Sequence, residues 1–578
     1  MPLSRLVWSL YWIDKLGYIR KANNYPVFFT FSWLILAVLV YLSPLRSPPW
    51  GSFYQEALSF LVVLLAAIFF PNRRLECPPF LLWVSPIFVF IMIQYFSGLF
   101  SFKGDAVLSI FYLMVFFLAV ILGFSSLNFE DASRSLPSYI AGFFVLIGLA
   151  CTLIAFRQWL DLASSSFEIN QSGARPFANL AQPNHLAAIL SLSLVSLLYL
   201  FEKYSICAWV AFVCTLMLLI GLIVSQSRTP WVTGVFLLIF WAWKCRKAEA
   251  KLSMRWLSLW FFVYLLGYFF FIYFSGEVGY SARDALDDRS LLSRPAIWLM
   301  VIDAILEEPW IGFGWLQTSS AQLSVIDANP ISGILTYSHN LYLDLLLWNG
   351  VVFGGFVVAV FLVWKVKLLF SAVSITELYA VLFLGVVFIH SMLEYVHAYA
   401  YFLLPAGFML GVLERTRLNK LCRRGFRAPV SPFYIRTFVF VLLFMATVTA
   451  DEYRYLQESF YKQKVRAADV IGFDHQDFYR PILILDNLEA LYLSREVNLT
   501  EDVSPENVDL LKKVAQRYPH LSNLYRYGLA LGLNGRFDES MEQLEFIRVL
   551  HGETNYSRAQ TQLKDALKRS GMSGIDPA

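Results

Sequence analysis

The sequence predicts an all-α membrane protein with many spans, followed by a helical domain at its C-terminus. Of its 578 residues, 58% are hydrophobic and only 15% are charged, against about 25% charged in a typical soluble domain. Apolar segments of roughly 17–22 residues recur along the chain, and each is long enough to cross a hydrocarbon layer of ~30 Å. Residues 451–578 are instead charged and amphipathic, with no segment that could span.

Thirteen apolar stretches are interpreted as spans. The stretches at 230–243 and 399–413 are short, so we expect 12 or 13 crossings. Met1–Lys21 is aromatic and charged without an uninterrupted apolar run, so no cleavable signal peptide is expected. The predicted spans are 27–43, 55–70, 79–98, 106–124, 137–156, 184–200, 206–225, 230–243, 256–275, 341–364, 377–394, 399–413 and 434–450.

The distribution of Lys and Arg predicts which side each loop faces. With the N-terminus in the cytoplasm, the inside loops hold 21 of these residues and the loops between spans on the outside hold 8. Basic loops stay in the cytoplasm, so this asymmetry favours a cytoplasmic N-terminus. We therefore expect a multi-pass protein of the bacterial inner membrane, with its long outer loops and C-terminal domain in the periplasm.

Five regions follow from this topology. They are the first spans (1–136), central spans with an outer loop at 157–183 (137–275), a large outer loop (276–340), the last spans (341–450) and the helical tail (451–578). No CxxC, HExxH or clustered His/Cys pattern is present. Neither a metal, another cofactor nor a nucleic-acid partner is expected.

The first outer loop carries the most informative motif, at residues 174–187. It places Arg175, Gln182, Asn184 and His185 where a loop enters an apolar helix. Guanidinium, amide and imidazole groups at a membrane edge need polar partners. The motif therefore predicts a polar site on the outer face.

The second outer loop ends in Tyr337-Ser338-His339-Asn340, directly before an apolar helix. Ser338 or Asn340 is suited to cap that helix. His339 would then lie at a helix N-terminus, which favours a nearby anion and a neutral imidazole able to accept a proton from a hydroxyl. The alternative is a hydrogen-bonded interfacial histidine.

Three outer arginines could bind an anionic ligand. Arg228 precedes Thr229-Pro230, Arg294 precedes Pro295 and a helix-like stretch at Trp298–Glu307, and Arg175 belongs to the first-loop motif. A forked guanidinium matches phosphate oxygens well. Solvated structural arginines are the alternative interpretation.

A late outer turn, Glu394–Tyr401, supplies a carboxylate at the end of a span together with several tyrosines, among them Tyr399 and Tyr401. A carboxylate in that position needs a partner. The tyrosines are equally typical of the aromatic belt at a bilayer interface. Asp287-Asp288 is interpreted as solvated.

The tail predicts paired helices. Small residues at Gly528 and Ala530 allow close packing, and Asn534-Gly535 breaks the helix before Phe537. This pattern resembles a degenerate tetratricopeptide repeat of at most about two copies. Both a generic hairpin that covers the membrane domain and a protein-binding platform fit it.

Together these motifs resemble the bacterial pilin-type protein O-oligosaccharyltransferases, within the O-antigen ligase and polymerase superfamily. The similar segments are Ala174–His185, the stretch from Arg294 through Gly312-Phe313-Gly314-Trp315 to His339-Asn340 and Asn349-Gly350, and Glu394–Leu404 with the tail. The resemblance implies a GT-C-type helix bundle. It also implies transfer of an oligosaccharide from undecaprenyl diphosphate to a Ser or Thr hydroxyl of a periplasmic protein such as a type IV pilin, without a metal.

The same resemblance assigns roles to residues. His339, Arg228 and Arg294 match the catalytic positions, whereas Gln182 and either Tyr399 or Tyr401 match substrate positions. Arg175, Asn184, Asn340 and Glu394 are added as substrate-binding candidates. Val396-His397-Ala398 departs from the usual Pro-containing sequence, so the choice between the two tyrosines stays open.

Two other functions stay open. An O-antigen ligase or polymerase would use a glycan as its acceptor and would share the His339 region. A lipid-glycan flippase would also need outer arginines, but it should carry polar residues through its spans, and here they cluster at the outer ends.

Overall fold

The computed structural model is helical almost throughout. It describes residues 36–70, 75–127, 130–162, 166–170, 175–180, 182–204, 206–277, 288–420, 428–429, 431–467, 480–499 and 503–570. Within these ranges the strands are β1 (Glu76–Cys77) and β2 (Ala428–Pro429), which form a two-residue antiparallel ladder. The predicted all-α class is confirmed.

The helices up to residue 307 are α1 (Phe53–Phe69), α2 (Phe80–Val84), α3 (Pro86–Phe96), α4 (Lys103–Ser126), α5 (Glu130–Trp159), α6 (Pro183–Tyr204), α7 (Ala208–Ser225), α8 (Thr229–Lys244), α9 (Met254–Glu277) and α10 (Asp288–Glu307). The next are α11 (Thr318–Ser324), α12 (Leu341–Asn349), α13 (Gly355–Ser371), α14 (Ile375–Leu393), α15 (Ala400–Lys420) and α16 (Pro432–Ala467). The tail adds α17 (Asp486–Glu496), α18 (Pro505–Arg517), α19 (Leu521–Leu533), α20 (Phe537–His551) and α21 (Glu553–Arg569).

Eight described segments are long and apolar enough to span a membrane. They are 103–126, 136–159, 183–204, 208–225, 254–274, 341–371, 375–393 and 433–466. Four further predicted spans coincide with α1, the pair α2 and α3, α8, and α15, which are shorter, interrupted or more charged. The predicted span at 27–43 lies mostly outside the described residues, so the total of 12 or 13 crossings stays a prediction.

Helices α4 and α15 touch backbone to backbone through two glycines. A Cβ on Gly123 would collide with the carbonyl of Phe408, and one on Gly411 would collide with the carbonyl of Val120. Small residues permit this approach, which is a common way for membrane helices to associate. The contact joins the C-terminal part of α4 to the middle of α15. The N-terminal ends of both helices contribute residues to the networks described below.

The two ends of the bundle differ in character. At one end Lys244 donates to the carbonyl of Phe370, and Lys420 pairs with Glu377, which is part of a capping box at the start of α14. The opposite end of α14 leads into Glu394. Polar candidates from both outer loops therefore lie at the end of α14 that is remote from this basic cluster.

The tail forms a compact helical unit with its own apolar core, which includes Leu524, Ala530 and Ile547. The predicted helix–turn–helix is confirmed by α19 and α20. The large loop packs against this unit, because Ile326 belongs to the same apolar core and Gly333 N donates to Leu550 O at 3.0 Å. The loop between α10 and α12 is thus held between the membrane helices and the tail.

Candidate active site

His339 lies directly before the N-cap of α12. Asn340 is the cap, since its Oδ1 accepts hydrogen bonds from Tyr342 N at 3.1 Å and Leu343 N at 3.4 Å. On the other side, Ser338 N donates to Asp344 Oδ1 at 2.7 Å. His339 has a φ of 58°, in the left-handed region that histidine enters more readily than bulky or branched residues. Its neighbours therefore fix the backbone that presents the imidazole.

Glu394 joins the predicted histidine to one predicted arginine. Its Oε2 lies 3.3 Å from His339 Nδ1, and its Oε1 accepts from Arg294 Nη2 at 2.5 Å. The Glu394 side chain is 9% exposed, whereas those of His339 and Arg294 are 16% and 27% exposed. Residues separated by 55 and 100 positions thus form one partly accessible ion cluster.

The cluster keeps Glu394 ionised. Burial alone would raise the pKa of this carboxyl, but the hydrogen bond with His339 and the charge of Arg294 outweigh burial and lower the pKa to about 2. An ionised carboxylate favours the His339 tautomer with the proton on Nδ1. In the neutral imidazole, Nε2 then keeps its lone pair and can accept a proton.

Three tyrosine rings connect this ion cluster to its surroundings. Tyr395 stacks on Tyr337, with ring centroids 5.3 Å apart, and on Tyr399, with centroids 6.1 Å apart. Its ring also meets the edge of His339 at 4.9 Å. Gln182 Nε2 donates to the Tyr395 hydroxyl at 3.3 Å. The stack therefore links the His339 loop to the first-loop motif.

The other motif residues hold the turn before α8. Arg175 donates from Nε and Nη2 to the carbonyl of Ser225, at 3.1 and 3.0 Å, and its Nη2 lies 3.4 Å from Asn184 Oδ1. Asn184 Oδ1 also accepts from Ser227 Oγ at 2.9 Å. The next residue is Arg228, the half-buried N-cap of α8. Through these bonds, Arg175 and Asn184 hold the backbone turn that carries Arg228.

Tyr399 and Tyr401 occupy different environments. Tyr401 is 1% exposed, and its hydroxyl lies 2.9 Å from His185 Nδ1. Its carbonyl accepts from the hydroxyl of Tyr41 at 2.6 Å. Tyr399 is half-buried and stacks on Tyr395. The geometry associates Tyr399 with the ion cluster and Tyr401 with the packed interior.

Arg46, which the sequence motifs did not single out, also lies at this end of the bundle. Its Nη2 donates to Leu180 O at 2.6 Å and to Gln55 Oε1 at 3.3 Å. It thereby anchors the first-loop motif and adds a positive charge near His185 and Tyr399. Nothing in its local sequence distinguishes it from an ordinary loop arginine.

A second network missed by sequence reasoning centres on Asp105, in the first turn of α4. Arg517 of the tail donates to both of its carboxylate oxygens, at 2.8 and 3.2 Å. Gln317 of the large loop and Asn487 of the tail donate to the same carboxylate, each at 3.1 Å. The Asp105 side chain is fully buried. This Asp105 junction ties membrane helix, loop and tail together, next to Tyr337.

The glycine motif of the large loop also has a physical explanation. Phe313 N and Gly314 N donate to the carbonyls of Leu347 and Trp348, at 3.0 and 3.1 Å. A Cβ on Gly312, whose φ is +73°, would lie 2.5 Å from the nitrogen of Gly350. The motif thus pairs the loop with the end of α12, the helix that His339 precedes.

The predicted site residues thus form two linked groups. His339, Asn340, Arg294, Glu394, Tyr399 and Gln182 surround the ion cluster, and Arg175, Asn184 and Arg228 surround the turn before α8. Within the described ranges no group of three or more His, Cys, Asp and Glu side chains could hold a metal ion. The ion cluster itself contains one guanidinium, one carboxylate and one imidazole, and Arg175 and Arg228 belong to the second group. Guanidinium groups suit an anionic ligand.

Comparison with known proteins identifies the family. A general O-oligosaccharyltransferase of Acinetobacter baylyi is 32% identical over 530 residues, which cover 89% of this chain and 91% of the relative. The chain belongs to the O-oligosaccharyltransferase family. A ComP-specific O-oligosaccharyltransferase of the same organism is 28% identical over 525 residues, covering 88% of this chain and 92% of the relative.

Three family models match parts of this oligosaccharyltransferase. The protein glycosylation ligase model covers 176–201, the O-antigen ligase model covers 210–354, and the C-terminal model of the virulence factor membrane-bound polymerases covers 378–566. The first match includes most of the Arg175–His185 motif, and the second includes Arg228, Arg294 and His339. No solved structure is similar to the chain at a significant level. The enzyme is a multi-pass membrane glycosyltransferase that carries out O-linked protein glycosylation.

Proposed function

We propose that this enzyme transfers an oligosaccharide from undecaprenyl diphosphate to a Ser or Thr hydroxyl of a type IV pilin, at the periplasmic face of the bacterial inner membrane. The observation that carries the proposal is the Arg294–Glu394–His339 cluster, at the end of α14 opposite the basic Lys244–Lys420 end. Basic residues favour the cytoplasmic side, which supports a periplasmic location for the cluster.

His339 acts as the general base in this proposal. Its Nε2 accepts the proton of the acceptor hydroxyl as the hydroxyl oxygen forms a bond with the anomeric carbon of the sugar. Glu394 holds the ring through Nδ1 and offsets the positive charge that the imidazole acquires. The bond from the anomeric carbon to the phosphate oxygen breaks, and its electron pair leaves with the polyprenyl diphosphate.

The arginines stabilise the departing diphosphate. A guanidinium has five N–H donors, and the bond from Arg294 to Glu394 uses one of them. Arg228 is the N-cap of α8, where the positive end of the helix dipole also favours an anion. Removing one donor aimed at a developing charge typically slows a reaction about 10²–10³-fold.

The substrate candidates surround these groups. Tyr395 contacts the His339 ring and is itself contacted by Gln182 and Tyr399. Arg175 and Asn184 hold the segment that carries Arg228. Asn340 contributes through the backbone, because its cap orients the residue before it. The tail bonds to Asp105 through Arg517 and Asn487 and packs against the large loop.

Purified enzyme in detergent, supplied with a lipid-linked oligosaccharide and a pilin, tests the proposal directly. Wild-type protein should shift the pilin to higher mass on a denaturing gel. His339→Ala and His339→Asn should both abolish the shift while the protein stays folded and membrane-inserted. Asn tolerates positive φ better than Ala does, so it separates loss of the imidazole from a backbone effect. Normal pilin glycosylation by both variants would remove His339 from the mechanism.

An O-antigen ligase or polymerase is the second candidate, because the O-antigen ligase model covers the region that contains Arg228, Arg294 and His339. The chemistry at the sugar would be the same, and only the acceptor would differ. Offering a pilin and a lipid A core together to the purified enzyme decides between them. Glycan on lipid A core or a lengthened O-chain, with unmodified pilin, would favour this second candidate.

A further inference from the structure

A cavity of about 640 Å³ lies among α6, α7, α8 and α9, away from the ion cluster. The side chains that line it are uncharged and mostly aliphatic or aromatic. Its hydroxyl-bearing side chains already bond to backbone carbonyls: Ser191 to Ala187, Thr215 to Ala211, Thr233 to Thr229 and Tyr264 to Ser227. Because these polar groups are satisfied, the cavity offers little to a sugar or a peptide and suits a hydrocarbon.

The shape of the cavity suits a linear ligand. Its lining along α7 runs from Ala208 to Leu222, which corresponds to about 21 Å at 1.5 Å per residue. That is about two-thirds of a ~30 Å hydrocarbon layer. An elongated apolar chain would fill this space, whereas a compact ligand would leave most of it empty.

One end of the cavity meets the segment that carries Arg228. Pro230 and Tyr264 line the cavity, and the Tyr264 hydroxyl lies 3.5 Å from the carbonyl of Ser227. Arg228 is therefore flanked by a residue whose backbone touches the cavity wall and by a helix turn that lines it. A ligand with a hydrocarbon chain and an anionic head would satisfy both features together.

We infer that this cavity holds the polyprenyl chain of the donor and thereby places the diphosphate beside Arg228. The inference rests on the proposed function, since it takes the lipid diphosphate as the substrate. Chain burial here gains little hydrophobic free energy, because a bilayer is equally apolar. The benefit is positional: a threaded chain restricts where the diphosphate lies, which favours the reactive geometry.

Filling the cavity tests the inference. Thr215→Trp places a large ring inside the cavity. The matched control is Met217→Trp, because Met217 lies two residues away on α7, does not line the cavity and is 39% exposed. Each protein is assayed with a full-length undecaprenyl donor and with a farnesyl donor carrying the same glycan. Wild type and Met217→Trp should show kcat/KM about tenfold higher for the long chain, and Thr215→Trp should lose that preference while using the short donor normally.

Three results would overturn the inference. They are a wild-type enzyme indifferent to chain length, equal behaviour of the two tryptophan variants, and equal loss with both donors in Thr215→Trp. If Thr215→Trp does not fold, Thr215→Phe takes its place.

A second measurement separates failure of the inference from failure of the proposed function. Undecaprenyl diphosphate with a diazirine in its chain, but without sugar, is photolysed on the wild-type enzyme and the labelled peptides are sequenced. Label within 208–238, displaced by unlabelled undecaprenyl diphosphate but not by phospholipid, supports the cavity even if no glycan is transferred. Label elsewhere, or equal displacement by phospholipid, contradicts it.

Discussion

Glu394→Gln gives the sharpest test of the ion cluster. The substitution preserves shape but removes the charge that faces both His339 and Arg294. Lowering the carboxyl pKa from 4.5 to about 2 corresponds to about 3 kcal/mol in favour of the ionised form. A hydrogen bond to a charged group contributes about 1.5–3 kcal/mol. Losing the lower figure as the imidazole gains a proton would raise the barrier by about 1.5 kcal/mol, or roughly tenfold in kcat.

The same change should affect donor binding differently. Arg294 loses its carboxylate partner and presents its full charge to the diphosphate, so KM for the lipid-linked donor should stay equal or fall. The assay is steady-state glycan transfer to pilin over a range of donor concentrations. Glu377→Gln is the control, because Glu377 is also buried and ion-paired but lies at the other end of α14. Glu377→Gln should alter stability without this kinetic pattern.

The prediction is that Glu394→Gln lowers kcat without raising KM for the donor. An unchanged kcat in Glu394→Gln would show that the carboxylate does not support proton transfer by His339. An increase in donor KM with unchanged kcat would instead assign Glu394 to binding. Either result would refute the proposed role of Glu394.

Three further predictions follow from the structure. Asp105→Asn should weaken the docking of the tail by about 3–5 kcal/mol, because it leaves the charge of Arg517 without its buried carboxylate partner. Limited proteolysis should then cleave the tail faster than in wild type, and Arg517→Lys should weaken docking less. Tyr395→Leu should reduce transfer about tenfold by removing the ring stack that supports His339, whereas Tyr395→Phe should retain most activity; equal loss in both would contradict a stacking role. The stabilisation from ionised Glu394 is complete above about pH 4.5 and is lost as the pH falls towards about 2, so the difference in melting temperature between wild type and Glu394→Gln should shrink as the pH falls below about 4.5.

Local sequence patterns predicted the elements of the fold well. Apolar length placed the helices, turn residues placed the break between α19 and α20, and the cap at Asn340 was one of two expected for α12. These features depend on neighbours within a few positions of each other in the chain. Periodicity therefore suffices to find them.

Long-range contacts were not predictable in the same way. The partners of Glu394 are 55 and 100 residues away, and Arg517 is 412 residues from Asp105. A single sequence contains no periodic signal for such pairs. Charge and topology sufficed to predict that outer arginines and an imidazole lie at one end of the bundle. They did not suffice to predict that Tyr395, Arg46 and the Asp105 junction are also part of it.

The docking of the tail bears on whether the tail is a generic helical hairpin that covers the membrane domain or a protein-binding platform. Its contacts with Ser320, Ile326 and Gly333 involve the loop that leads to His339. Packing against the membrane domain is therefore part of its role, and an acceptor-binding surface would have to lie on its remaining faces. The generic-hairpin interpretation accounts for the contacts that the structure contains.

The Asp105 junction has a consequence for biosynthesis. Asp105 is synthesised early, whereas Arg517 emerges only when the chain is nearly complete, so the ribosome adds hundreds of residues before the carboxylate meets its guanidinium. Once Gln317 has been synthesised, the loop around it still lacks the tail helices against which it packs in the complete protein. We therefore expect a nascent or truncated chain to insert into the membrane yet to be unable to glycosylate, which would keep half-made copies from consuming lipid-linked sugar.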